Sequence, residues 1–132
     1  MQIVILYIST AVIFLALDAI MLKTVMRPHF ERYIGPWLLD DIRMGPAVGF
    51  YLLYIAGVLM FVSLPALRAG LPLQALLAGA ALGALAYGTY EFTNFATLRN
   101  WTWDMVAIDL AWGTFLTGFS AWAGVTIARQ FG

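Results

Sequence analysis

Three carboxylic acids lie inside otherwise apolar stretches of this sequence. Asp18 is near the end of the first stretch, Glu91 near the end of the third, and Asp109 near the beginning of the fourth. A charged side chain at the centre of a membrane-spanning helix costs about 2.5–3.5 kcal/mol or more, so such residues are candidate functional groups. Buried acids can hold protons, pair with basic side chains, or bind a cation or an ammonium group. They can equally cross-link helices through hydrogen bonds.

The positions of these acids along their helices predict a single polar layer. At a rise of 1.5 Å per residue, each acid lies roughly 6–9 Å inside the same end of its helix. Tyr51, on the second stretch, falls at the same depth. Side chains near the acids complete the candidate site. Its predicted members are Asp18, Tyr51, Tyr87, Glu91, Asn94, Arg99, Asp109 and Trp112.

The neighbours of Glu91 on its own helix are polar. Tyr87 comes four residues before it and Asn94 three residues after it. Residues at these spacings share one face of a helix, so both side chains can donate hydrogen bonds to the carboxylate. This face is either a polar seam between helices or the wall of a hydrated pocket, and both require it to point inward.

Two further side chains could reach the acids. Trp112 lies three residues beyond Asp109, and its indole N–H can donate to a carboxylate, although simple packing explains it equally well. Arg99, in the loop after the third stretch, is expected to fold back towards Asp18 or Asp109.

The composition is that of an integral membrane protein. Of the 132 residues, 63% are hydrophobic and 11% are charged, whereas about 25% are charged in an ordinary soluble domain. Seven basic residues balance seven acidic ones, so the chain has no net positive charge to attract nucleic acid. With no cysteine and one histidine, thiolate chemistry and an HExxH metal site are excluded. No metal site is predicted, and no cofactor is indicated.

Four stretches are long enough to cross a bilayer as helices. Because their apolar runs are continuous rather than alternating, they are not barrel strands. Pro46 and Pro72 suit the first turns of the second and third helices, and Pro65 is expected to end the second. The predicted fold is all-α, an integral membrane four-helix bundle forming a single domain over 1–132. The expected helices are about 2–22, 46–64, 71–96 and 104–128.

The one long connection, 23–45, contains an amphipathic pattern. Apolar residues recur there at i, i+3, i+4 and i+7, which predicts a short helix over 28–38 lying on the membrane surface. An ordinary solvent loop with a few aromatic residues is the alternative. The apolar residues are Phe30, Tyr33, Ile34 and Trp37.

Small residues four apart mark the third and fourth stretches, among them Gly79, Gly83, Gly113 and Thr117. This spacing lets helix backbones approach closely, and in so small a bundle it predicts internal packing rather than a dimer face. Trp101 and Trp103 flank the loop between these stretches, where tryptophan typically anchors a helix at the membrane interface.

Two segments resemble a known family. Residues 90–101 read YEFTNFATLRNW, and residues 109–114 read DLAWGT. Together with Leu17-Asp18 and Gly45-Pro46, they are similar to a bacterial family of membrane proteins, domain of unknown function 2177. The resemblance covers essentially the whole chain. It implies four spanning helices in the bacterial cytoplasmic (inner) membrane, and it supplies neither an activity nor catalytic residues.

Three functions are compatible with these observations. The first is binding, with transport as an extension, of an amphiphile, a lipid headgroup or a cation at the carboxylate layer. The alternative is a non-catalytic accessory subunit of a larger membrane complex. The third is a lipid-modifying enzyme with Glu91 or Asp109 as acid or base. It ranks last because no nucleophile or cofactor motif accompanies the acids. The expected partners are the lipid bilayer and either other membrane subunits or a second copy of the chain.

Basic residues predict the orientation in the membrane. Five lie at one end of the bundle and two at the other, so the 23–45 loop should be cytoplasmic and both termini outside. Because the chain has no cysteine, Phe30→Cys and Phe131→Cys each create a unique labelling site. We expect an impermeant thiol reagent added to whole cells to label position 131 and not position 30; the opposite pattern would invert the topology. The two groups are Lys23, Arg27, Arg32, Arg43 and Arg99, against Arg68 and Arg129.

Overall fold

Long helices make up the computed structural model, which describes residues 1–28 and 44–131. α1 continues through a π-helical turn at Leu22–Met26, and a second π-helical turn, Leu59–Ser63, joins α2 and α3 into one continuous rod. The described chain therefore forms four rods and contains no strand, which confirms the predicted all-α class. The helices are α1 Gln2–Met21, α2 Met44–Val58, α3 Leu64–Ala69, α4 Pro72–Thr97 and α5 Trp103–Arg129.

The predicted surface helix over 28–38 lies outside the described residues, apart from its first position. The same is true of its four apolar residues and of His29, the only histidine.

Three of the four rods are long and apolar enough to cross a membrane, namely Gln2–Val25, Gly45–Ala69 and Pro72–Thr97. α5 has 27 residues, a length of about 40 Å, which exceeds the ~30 Å hydrocarbon core. It is less apolar because it is the central helix, packed against both α1 and α4. Its buried residues include small or polar ones such as Gly113, Thr117, Ser120 and Gly124, beside aliphatic ones such as Leu116 and Val125.

α5 runs antiparallel to both of its main neighbours. Along α1, Thr10 lies against Gly124 and Asp18 against Trp112. At the far end of the same pair, the Gln2 Nε2 donates to the Ala128 carbonyl at 3.2 Å. The two chain ends therefore meet at one end of the bundle, and the acids lie towards the other.

Small residues let α4 and α5 pack backbone against backbone. A methyl group added at Gly79 would lie 3.0 Å from the Gly118 Cα, and one added at Gly118 would lie 2.9 Å from the Leu76 carbonyl oxygen. Gly83 abuts the Gly113 carbonyl in the same way. The prediction that these residues serve internal packing is confirmed, and the resulting seam fixes the register of the two helices that carry Glu91 and Asp109.

The prediction that Pro65 ends the second helix is wrong. The rod continues to Ala69 and ends at Gly70, which adopts a left-handed φ of 70°. Proline lacks an N–H, and its ring collides with the carbonyl four residues earlier. That carbonyl belongs to Phe61, inside the π-helical turn Leu59–Ser63. The wider turn makes room for the ring, so the helix passes the proline instead of stopping.

The α4–α5 seam predicts a large effect of one added methyl group. In Gly83→Ala the new Cβ would meet the Gly113 backbone and the Thr117 side chain, so we expect overpacking to cost about 1–3 kcal/mol of unfolding free energy. The measurement is reversible unfolding in mixed micelles.

Gly57→Ala is the matched control, because nothing lies within 4 Å of its added Cβ. Since alanine is the better helix former, this variant should be as stable as the parent or slightly more stable. Equal stability of the two variants would contradict the seam.

Candidate functional site

The three predicted acids are buried together near one end of the bundle. Asp18 is 4% exposed, Glu91 is 0% exposed and Asp109 is 7% exposed. They come from α1, α4 and α5 respectively, as their depth along the helices predicts. These three carboxyl groups and the side chains that contact them form the acid layer.

Asp18 receives hydrogen bonds from two aromatic side chains. The Trp112 Nε1 donates to its Oδ1 at 3.1 Å, and the Tyr51 hydroxyl also hydrogen-bonds to it. The Tyr51 ring in turn packs against Phe14, with 5.8 Å between ring centroids. Because hydrogen-bond donors stabilise a carboxylate, these two bonds offset part of the cost of burying Asp18.

Glu91 is surrounded differently. Its Oε1 accepts a hydrogen bond of 2.9 Å from the Trp101 Nε1, whereas its Oε2 is buried with no donor among the described residues. The carboxyl group of Asp109 lies in hydrogen-bonding contact with Glu91. Two ionised carboxylates have no hydrogen to share, so this contact is a hydrogen bond only when one of them is protonated.

Trp101 is the functional neighbour that sequence reasoning missed. Its position predicts an interfacial anchor, but it is 5% exposed and bonded to Glu91. The turn between α4 and α5 folds its side chain back over the end of α4. Trp103 remains exposed and packs against Phe95, with 4.4 Å between ring centroids. The sequence did contain an indication of this contact, because Glu91 lies in a membrane-spanning stretch only ten residues before Trp101, whose indole N–H can donate to a carboxylate.

Tyr87 lies between the acid layer and the middle of the bundle. Its ring covers Gly113, which has no side chain to obstruct it. Its hydroxyl is buried with no partner among the described residues, and it is close enough to Asp18 and Asp109 to interact with their charges. One step deeper, the Tyr54 hydroxyl and the Thr117 Oγ1 are 3.0 Å apart, a pair that the sequence did not suggest.

Asn94 and Arg99 do not join the acids. The half-buried Asn94 hydrogen-bonds to the hydroxyl of Tyr90 rather than to Glu91. Arg99 is exposed in the turn after α4, because that turn directs Trp101 inward instead. Of the eight predicted site residues, the structure thus brings six into or beside the acid layer.

The described residues supply no basic side chain to the acid layer. The contacts of Asp18, Glu91 and Asp109 there are with indole groups, a phenol and one another. Over the same ranges, no group of three or more histidine or acidic side chains could hold a metal ion. The layer therefore contains buried acids without a compensating cation among the described groups.

A groove of about 440 Å³ runs along the outer side of α4 and α5. Its lining is largely apolar and includes the residues next to two of the acids, Phe92 after Glu91 and Leu110 after Asp109. The remaining lining residues are Ala84, Leu85, Gly88 and Thr89.

Comparison with known proteins gives one match. The family model described as "Predicted membrane protein (DUF2177)" matches residues 3–126. No curated protein and no solved structure matches the chain.

The Trp101–Glu91 hydrogen bond predicts different effects of two substitutions at one position. Glu91→Gln keeps an oxygen that accepts from the indole, so its stability should be close to that of the parent. Glu91→Leu removes the acceptor of this buried hydrogen bond and should lower the free energy of unfolding by about 1–3 kcal/mol. Both are measured by reversible unfolding in mixed micelles.

A double-mutant cycle with Trp101→Phe separates this hydrogen bond from packing. In the Trp101→Phe background, the difference between the Gln and Leu variants should shrink. An undiminished difference, or equal stability of the two variants in the parent, would show that the hydrogen bond does not stabilise the fold.

Proposed function

Since the chain belongs to the family of predicted membrane proteins DUF2177, whose function is not established, we propose that it binds the ammonium group of an amphiphile at the acid layer. In this proposal the protein crosses the bacterial cytoplasmic membrane four times, with the acid layer near the cytoplasmic face. The hydrocarbon tail of the bound molecule stays in an apolar environment while its head reaches the carboxyl groups.

Two unpartnered oxygen atoms carry this proposal. The Glu91 Oε2 and the Tyr87 hydroxyl oxygen are both buried without a hydrogen-bond partner among the described residues. Leaving such a group unsatisfied costs free energy, so buried polar atoms usually have partners. A primary ammonium group offers three N–H donors and one positive charge. Its N–H groups would satisfy buried oxygen atoms of this kind, and its charge would balance part of the negative charge of the acid layer.

The aromatic surroundings favour an ammonium group over a metal ion. The rings of Tyr51 and Trp112 adjoin Asp18, and the rings of Tyr90 and Trp101 pack against each other beside Glu91, with 6.0 Å between centroids. Aromatic rings attract organic cations, particularly where water is excluded. Hard divalent ions instead require several oxygen ligands, and no suitable cluster occurs in the described part of the chain.

The groove on α4 and α5 supports an amphiphile as the source of the ammonium group. It lies on the same two helices as Glu91 and Asp109, and its lining is mostly apolar. A hydrocarbon chain lying there would bury apolar surface, with its head group at the level of Glu91 and Asp109, whose neighbours Phe92 and Leu110 line the groove.

The test compares two probes that differ only in their head group. Dodecylamine is cationic at neutral pH, whereas dodecanol is neutral and of the same length. For the purified protein in nanodiscs, we expect the amine to bind at least about tenfold more tightly than the alcohol, equivalent to ~1.4 kcal/mol. Glu91→Gln and Asp109→Asn should each reduce that preference, because each removes a carboxylate and keeps its shape.

Asp104→Asn is the control, since it removes an exposed carboxylate at the beginning of α5 and should leave the preference unchanged. Equal binding of amine and alcohol to the parent would reject the proposal. If, in addition, another membrane protein copurified in fixed stoichiometry from native membranes, the accessory-subunit alternative would replace it.

A further inference from the structure

We propose that Glu91 and Asp109 share a single proton when the acid layer is empty, and that a cation binding there displaces this proton. The first part stands on the geometry of the carboxyl pair alone. The second part rests on the proposed function. The protein would then couple the binding of a cation to the release of a proton.

The geometry of the pair leaves one position for a proton. The Trp101 indole N–H already donates to the Oε1 of Glu91, whereas the Oε2 of Glu91 has no donor among the described residues. The Asp109 carboxyl is in hydrogen-bonding contact with Glu91, and the two side chains are at most 7% exposed. Two adjacent carboxylates that water cannot reach repel each other strongly, whereas one proton between them converts the repulsion into a hydrogen bond.

No described group nearby removes the need for this proton. From α1 the charged group that faces the pair is Asp18, itself an acid. The titratable groups that face the pair from the other helices are phenols, which carry no charge, namely Tyr51 from α2 and Tyr87 and Tyr90 from α4. None of these supplies a positive charge.

Asp18 is the contrasting case within the same layer. It accepts hydrogen bonds from Trp112 and Tyr51, so two donors already in place offset part of the cost of its burial. Glu91 has only one donor, and Asp109 has none besides the shared proton among the described residues. The proton therefore belongs to the Glu91–Asp109 pair rather than to Asp18.

The displacement reaction balances in charge and atoms. The pair with one proton carries one negative charge, and a cation that binds between the oxygen atoms raises the acidity of that proton. The proton leaves to water at the nearby end of the bundle, and the cation then faces two carboxylates. Protons and the cation thus compete for the pair, so the affinity for the cation should fall as the pH is lowered.

Infrared spectroscopy tests the shared proton without any ligand. At neutral pH the parent should show the C=O stretch of a protonated carboxylic acid, shifted on exchange into heavy water. The band should disappear in both Glu91→Gln and Asp109→Asn, because the new amide N–H donates to the remaining carboxylate. It should persist in Asp18→Asn and Asp104→Asn. Absence of the band from the parent, or its persistence in both pair variants, would overturn the proposal.

Binding across a pH series tests the displacement. Dodecylamine is again the probe, at pH values up to about 8, where an alkylammonium group keeps its charge. Its affinity for the parent should fall by about tenfold per pH unit where the empty pair holds its proton. In Glu91→Gln the residual binding should be independent of pH over the same range.

The two experiments distinguish failure of this inference from failure of the proposed function. A carboxylic acid band that depends on Glu91 and Asp109, without preferential binding of the amine, would leave the shared proton in place and reject ammonium binding. Tight binding that does not vary with pH would support the ammonium site and overturn the displacement.

Discussion

A carboxyl group inside a membrane protein has no water to solvate it, and the arrangement of this bundle follows from that constraint. Every oxygen atom of Asp18, Glu91 and Asp109 needs a donor from a side chain, a proton or a bound cation. The protein meets part of this need with two indole groups and a phenol, drawn from α5, the turn before it and α2. The Glu91 Oε2 still lacks a hydrogen-bond partner among the described residues, as does the nearby Tyr87 hydroxyl. These two atoms are the basis of the chemistry proposed for the layer.

The glycine-rich seam makes this arrangement possible. α4 and α5 approach so closely at Gly79 and Gly118 that their side chains occupy fixed positions relative to each other. The same absence of side chains at Gly113 lets the Tyr87 ring lie over α5. Packing and polarity are therefore linked here: the small residues that associate the helices also determine which polar groups meet.

The common depth of the three acids along their helices was predictable from the sequence, because the rise per residue of a helix is constant. That their side chains point into the bundle was predictable because a charged group facing lipid is costly. An indole donor within the layer was also predictable from helical spacing, since Trp112 shares the side of α5 that carries Asp109. The wrong predictions concern helix ends and irregularities. The path of the chain after Thr97 decided whether Trp101 or Arg99 turned inward, and the π-helical turn at Leu59–Ser63 decided whether Pro65 stopped its helix. Neither the path of this loop nor the π-helical turn produces a periodic pattern in the sequence, so periodicity could not predict them.

The hydrogen bond between Gln2 and Ala128 holds the first turn of α1 against the last turn of α5. A count based on apolarity alone finds three candidate membrane-spanning helices in the described chain, and α5 is not among them. Yet α5 extends alongside α1, the most apolar of the three, from the Gln2–Ala128 contact at one end to the Asp18–Trp112 contact near the other. Tags fused to the two ends of the chain would therefore lie at the same end of the bundle.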